Sequence, residues 1–183
     1  MMPGGTLNIE HRLIEKMIEL ADKELVKIKK TKRVNTVFIE AFADFIHIFV
    51  DLTHNGKEEE ILFKGLQNKK ISTNDSRMMQ ELLVEHINAR IINEELIRAN
   101  RDYIFGDSRG LDVIIEKLSF LTNFYPVHIR KEDEDFMPNA EKYFTEEELN
   151  KMLDDFLKFD AEMIREKYNK LYVSLSKNSY SIN

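Results

Sequence analysis

The sequence predicts an all-α chain, folded as an up-down-up-down four-helix bundle with an additional C-terminal helix. Three observations predict it. Glycine and proline are scarce, at 6 and 3 of 183 residues, so little interrupts helix formation. Long Leu/Ile/Glu/Lys segments carry apolar residues at three-four spacing, the period of one helix face. The polar connections between them are short, which makes successive helices antiparallel neighbours.

The first helix is expected from about Asn8 to Lys30. His11, Ile14, Ile18, Ala21, Leu25 and Ile28 form one core-facing stripe. The basic run from Lys23 to Arg33 closes this helix, where cations complement the macrodipole. It is read as a helix end and not as a binding patch. Thr31 to Arg33 is a short connection.

The second helix is expected over roughly Val34 to Gly65. Phe38, Phe42, Phe45, Phe49 and Leu52 form a stripe. His54 lies two residues past Leu52, about 200° round an ordinary helix, so it faces away from that stripe. The helix is thus apolar on two sides, and a fifth helix or a homodimer partner is expected to cover the phenylalanine face. Asn55-Gly56 also carries a hairpin signal, but Lys57 to Lys64 does not alternate as a strand does.

Gln67 to Asn74 is a polar loop with capping residues for the third helix, expected from Asp75 to Tyr103. Met79, Leu82 or Leu83, His86, Asn93 and Leu96 or Ile97 face inward. Gly106-Asp107-Ser108 is the next turn. The fourth helix carries the stripe Leu111, Ile114, Leu118, Leu121, Tyr125, His128 and Glu132. Pro126 frees the Thr122 carbonyl and is expected to kink it, and Pro138 to end it. A capping box, Thr145 to Glu148, and a staple pair, Phe144 and Leu149, open a fifth helix reaching about Tyr172. Residues 1–183 are therefore read as one domain: a core over 7–140, a C-terminal helix over about 145–172, and a frayed polar tail over 174–183.

A net charge of −6 argues against nucleic acid or anionic membrane as partners. With no cysteine, disulfides, thiolate zinc sites, iron–sulfur ligation and redox thiols are excluded, and any metal must use nitrogen and oxygen. Met-Met-Pro-Gly-Gly has neither the charged nor the apolar region of a signal peptide. No stretch approaches the length of a membrane span, so a cytoplasmic protein is expected.

The chemistry lies in a repeat. His11 is followed by His54 with Glu58, and His86 by His128 with Glu132, at nearly equal intervals. Residues four apart share a helix face, so each H-x3-E pair offers a nitrogen and a carboxylate oxygen to one centre. In the bundle, four imidazoles and two carboxylates converge on the interior. Glu58 and Glu132 can each bridge two ions, and imidazole-plus-carboxylate sites suit iron, with manganese or zinc as substitutes. The competing reading is a metal-free helical interaction module whose histidines make core hydrogen bonds. It leaves costly imidazoles and carboxylates buried on apolar stripes.

Glu10-His11-Arg12, His54-Asn55-Gly56-Lys57-Glu58-Glu59, Glu85-His86, His128-Ile129-Arg130-Lys131-Glu132-Asp133-Glu134 and Phe136-Met137-Pro138 resemble the motifs of the hemerythrin-like family, also called HHE cation-binding domains. The resemblance covers about Leu7 to Lys167. It implies a non-haem di-iron centre, oxo- or hydroxo-bridged, with His11, His54, His86 and His128 as terminal ligands and Glu58 and Glu132 as bridges. Oxygen-carrying members have a second histidine on the third helix. Here the positions four residues either side of His86 are Leu82 and Arg90, which points away from oxygen carriage toward a more open centre. Four His and two Glu are similar to the group implicated in iron-centre repair after nitrosative or oxidative stress, although that group often carries an N-terminal cysteine segment absent here. Ferritin-like proteins, with E-x-x-H and more carboxylates, match less well.

The function expected is binding of a small diatomic, O2 or NO, for sensing, scavenging or stress response. A repair or reductase activity served by an electron-donor protein is the alternative. Near the site, His47 and Asp51 are expected to form a polar channel or, in the favoured reading, a hydrogen-bonded rim pair. Glu85 either gates access or faces solvent, and Tyr125 packs its ring or donates to a metal-bound group.

Overall fold

The computed structural model describes residues 2–107 and 109–179, with the side chains of 164–179 excepted. Among the described residues the chain is helical, with no strand.

Helix α1 is Pro3–Thr31, and all six members of its expected stripe are buried. It starts before the expected Asn8. Pro3 lies in the first turn, where a missing N–H costs nothing, and Gly4 N–H donates to Glu141 Oε1 at 2.8 Å. At its end Lys32 takes the left-handed conformation, φ 55°, and its N–H closes on the Ile28 carbonyl. Lys23, Lys27, Lys29, Lys30, Lys32 and Arg33 are all exposed, as a solvated helix end requires.

Helix α2 runs through residues 36–67, capped by Asn35, whose side chain accepts from Phe38 N–H. Its inward face differs from the expected one. The buried positions include Ile39, Phe42, Ala43, Ile46, Val50, His54, Glu58 and Leu62, whereas Phe38, Phe45 and Phe49 are half-buried against the same core and Leu52 is exposed. The cause is a change of helix type. Ile46–Asn55 and Glu58–Phe63 are π-helical, between α-helical Thr36–Phe45 and Lys64–Gln67. In an α-helix a four-residue step drifts by about 40°, so Ile46 and Leu62 would point in nearly opposite directions. The wider π turns drift the other way and offset this, and 46, 50, 54, 58 and 62 are all buried.

Helix α3 is Thr73–Ile104, with Ser72 as its cap, accepting from Asp75 N–H at 3.1 Å. Leu82 and Leu96, not Leu83 and Ile97, take the inward positions. Gly106 follows at φ 90°, a conformation that favours glycine, and Ser108 of the expected turn lies outside the described residues.

Helix α4 runs through residues 109–140, again changing type at the site: Arg109–Arg130 is α, Lys131–Phe136 is π and Met137–Ala140 is α. His128, Glu132, Phe136 and Ala140 repeat the four-residue spacing and are all buried. Pro126 lies inside the continuous helix. Pro138 does not end it: the ring falls in the first turn of the closing α segment, Met137–Ala140, and the helix continues past it.

Helix α5, Glu146–Ser179, extends past the expected Tyr172 and takes in most of the expected tail, while residues 180–183 lie outside those described. Its capping box forms: Thr145 N–H donates to Glu148 Oε2 at 2.8 Å and Glu148 N–H to Thr145 Oγ1 at 3.3 Å.

Residue pairings fix the topology. Thr36, Ala43, Asp51 and Glu59 of α2 meet Asn100, Asn93, Arg90 and His86 of α3, a descending register that makes them antiparallel. Glu85 and Glu95 of α3 meet His128 and Lys117 of α4 in the same sense, and Gly4 and His11 of α1 meet Glu141 and Asp133 at the end of α4. This is the up-down-up-down bundle. Helix α5 lies antiparallel on the second half of α2, with Glu148 on Lys69, Phe144 over Gly65, Phe159 against Gly56 and Asp160 on Lys57.

The core is divided. One apolar cluster holds Ile14, Ile18, Ile46, Val50, Ala89, Leu118 and Tyr125 among others, and a second holds Leu7, Leu62, Phe63, Leu82, Phe136 and Phe156. Each bundle helix crosses from one cluster to the other through a polar step: His11, His54 with Glu58, His86, and His128 with Glu132. A polar layer therefore lies between two hydrophobic cores.

Candidate metal centre

All six residues singled out in the sequence come together in that layer, each with at most 3% of its surface exposed. Donor atoms of His11, His54, Glu58 and Glu132 all lie within 4.8 Å of one another, and those of His86, His128 and Glu132 do likewise. The two imidazole pairs face each other across the carboxylates. Glu58 turns Oε1 toward His54 Nε2 at 3.8 Å and Oε2 toward His86 Nε2 at 3.4 Å. Glu132 turns Oε2 toward His11 Nε2 at 3.2 Å and Oε1 toward His128 Nε2 at 3.1 Å. Each carboxylate thus divides its oxygens between the two histidine pairs.

The outer nitrogens explain why the inner ones point inward. His54 Nδ1 is 2.8 Å from Glu10, His86 Nδ1 2.8 Å from Glu59, His128 Nδ1 2.7 Å from Glu85 and His11 Nδ1 2.6 Å from Asp133. An ionised carboxylate only accepts, so each Nδ1 carries a proton and donates, which leaves Nε2 as the nitrogen facing the centre. Every acid comes from the helix neighbouring its histidine, and the four contacts close a ring: α1 to α2, α2 to α3, α3 to α4, α4 to α1. A cation backs each acid. Lys57 holds Glu10, Arg90 holds Glu59 at 2.6 Å, Lys131 holds Glu85 and Arg12 holds Asp133. Burial opposes ionisation of Glu10, Glu59 and Glu85, yet the imidazoles and these cations hold all three below the ordinary glutamate range.

Sequence reasoning missed this ring. The four acids were visible, each one residue before or after a proposed ligand, but each serves a histidine on another helix. Glu85 is half-buried, and its carboxylate orients His128. Lys57, fully buried between Glu10 and Asp160, gave no sequence signal. His47 stands 3.9 Å from Asp51, too far for the expected hydrogen bond, and Asp51 is held instead by Arg90. The Tyr125 ring is buried and packs edge-on against His128, with centroids 6.4 Å apart.

The centre fits a cation. All four oxygens of Glu58 and Glu132, and Nε2 of His86, are buried with no hydrogen-bond partner. Uncompensated, that burial is costly. The cluster's proton affinity carries the same message. Burial and the charge of Glu132 push the Glu58 carboxyl well above its usual range. Against the opposing effect of burial, Asp133 and Glu132 push His11 up to about 10, and Glu132 and Glu85 do the same for His128. Burial drives His54, 3.0 Å from His11, down to about 4. Burial resists ionisation of Glu132 as well, but the positive charge of His128 and the approach of His11 hold it well below its usual range. Four imidazole nitrogens and two carboxylates that divide their oxygens form a nitrogen–oxygen donor set suited to borderline divalent metals.

No curated protein matches the chain. Residues 4–140 match the family profile described as the hemerythrin HHE cation binding domain, and this span contains every residue of the polar layer. The chain therefore belongs to the hemerythrin HHE cation-binding family, as a metal-binding, hemerythrin-like helical bundle.

Proposed function

We propose that the polar layer holds two iron ions, with His11 and His54 on one, His86 and His128 on the other, and Glu58 and Glu132 bridging them. Manganese and zinc are substitutes with the same donor preference. The single observation that carries this reading is the state of the two glutamates. Both are fully buried, their four oxygens lack hydrogen-bond partners, and each divides its oxygens between the two histidine pairs. In a metal-free interaction module the imidazoles of His11 and His128 can serve Glu132, but the oxygens of Glu58 are left without a hydrogen-bond partner.

When bound, the iron pair supplies one-electron redox chemistry and an open coordination position for a small diatomic, O2 or NO. The chain's own residues do the rest. The ring of outer acids fixes each imidazole tautomer and orientation before a metal arrives. The two apolar clusters exclude bulk water from either side of the layer. Among the described residues no helix is long and apolar enough to cross a membrane. We place the protein in the cytoplasm as a single domain acting in sensing, scavenging or stress response.

One observation favours a second reading, a repair or reductase activity in nitrosative or oxidative stress served by an electron-donor protein. Arg90 stands where oxygen carriers have a further histidine, and it turns to Asp51 and Glu59, so helix α3 contributes one imidazole. This is the ligand set that is similar to the iron-centre repair group.

Metal analysis of anaerobically prepared protein, with optical spectra before and after gas addition, tests both. Two irons per chain and a gas-dependent visible band are expected. Under one iron per chain overturns the di-iron reading, and turnover with an added electron donor moves the assignment to the second.

A further inference from the structure

Between α2 and α3 lies a cavity of about 280 Å³. Its wall includes His86, Asn55 and Asn93, with Arg90 and Asp51 further out and His47 at the rim. We propose that this chamber is the route by which a small uncharged ligand reaches the centre, and that the ligand arrives at the His86/His128 half. The inference rests on the di-iron reading above and adds direction to it.

The chamber is built to hold something polar. Asn55 Oδ1 and Asn93 Oδ1 both belong to residues of its wall, are buried, and have no hydrogen-bond partner. A polar space of this size accommodates several water molecules or a diatomic. Its rim reaches solvent, since the His47 side chain is 53% exposed. Arg90 on the wall is neutralised by Asp51 and Glu59, and Glu94 lines the same space, so the walls do not attract an anion.

The two halves of the centre are unequal. Four residues bring donor atoms together on the His11/His54 side, and three on the His86/His128 side. Arg90 lies one turn beyond His86, and its guanidinium is drawn outward, so α3 offers no second nitrogen there. The opposite half is sealed. Lys57 is fully buried over Glu10, its ammonium is 2.8 Å from Asp160 and 5.8 Å from the Phe156 ring, and Phe159 covers Gly56. A competing groove between α3 and α4 reaches His128, but the Phe124 ring stacks over that imidazole at 5.0 Å.

The test is NO association with the ferrous-loaded full chain by stopped flow, alongside iron content and metal affinity against a chelator. His47→Trp plugs the rim, and Ala89→Leu fills the chamber from its wall, which Ala89 also lines. Both are expected to slow association about tenfold or more, because access then limits the rate, while iron content and chelator-competed affinity stay unchanged. Ala89→Val should fall between. Phe124→Ala and Phe159→Ala, which open the competing groove and the sealed half, should stay within about twofold of the unmodified chain. If Ala89→Leu does not fold, the surface change His47→Trp and the milder Ala89→Val decide. Full iron with unchanged rates in those two overturns the route, as does faster association in Phe124→Ala or Phe159→Ala. An unmodified chain holding under one iron overturns the di-iron reading itself, and the route with it.

Discussion

Glu58 and Glu132 are the residues on which the centre turns, because two fully buried carboxylates stay ionised side by side only where a cation offsets their desolvation and mutual repulsion. Glu58→Ala or His128→Ala should therefore lose iron and the gas-dependent band together, read by metal analysis and absorbance. The outer acids act at one remove. Glu85→Gln keeps the shape of the side chain but weakens its hold on His128 Nδ1–H, so metal affinity should fall roughly 10–100-fold against a chelator while helicity is kept. The sign of the pH dependence follows from the imidazoles. Without metal, His11 and His128 keep their protons up to about 10, so an incoming ion must displace them. Metal uptake at neutral pH should release protons, and affinity should rise with pH; affinity independent of pH would contradict this. Of these residues, the six central ones were legible in the sequence from their spacing. The outer acids and their cations were not, because each works on a histidine of another helix.

At the scale of elements, α2 and α4 carry the change from α to π geometry where they supply a histidine and a glutamate four residues apart. That change keeps the proposed ligands on the core face over several turns. The period was present in the sequence as Ile46, Val50, His54, Glu58 and Leu62, but the adjacent phenylalanines gave an equally apolar stripe. Only packing against α3 decided between them. Close approach of α3 and α4 depends on Gly110, where an added Cβ would stand 2.8 Å from the Tyr103 nitrogen and 2.9 Å from the Ala99 carbonyl oxygen. Backbone does not yield as a flexible side chain does, so Gly110→Ala should cost about 1–3 kcal/mol, seen as a lower melting temperature by circular dichroism. The capping box of α5 is local and was legible. Thr145→Ala should cost about 0.5–2 kcal/mol, read in the same melt.

On the scale of the whole molecule, two apolar cores joined through a polar layer make stability depend on what occupies that layer. Metal removal leaves two buried carboxylates, Glu58 and Glu132, in one layer between the cores, so the chelated protein should melt below the loaded one, with the gap growing with free metal concentration. Equal melting temperatures with and without metal would show that the layer is stable unaided. Helix α5 makes the bundle asymmetric, because it buries Lys57 behind the His54 half and leaves its counterpart Lys131 partly exposed behind the His128 half. An internal repeat that looks nearly two-fold in sequence thus gives two unequal sides.

The sequence by itself determined the helical class, the order of the helices and the six convergent residues, since each depends on periodicity and composition within one helix. The tertiary structure alone decided which face of α2 is inward, which acid orients which histidine, and which half of the centre lies open. Those depend on contacts between helices distant in sequence, and no local pattern encodes them.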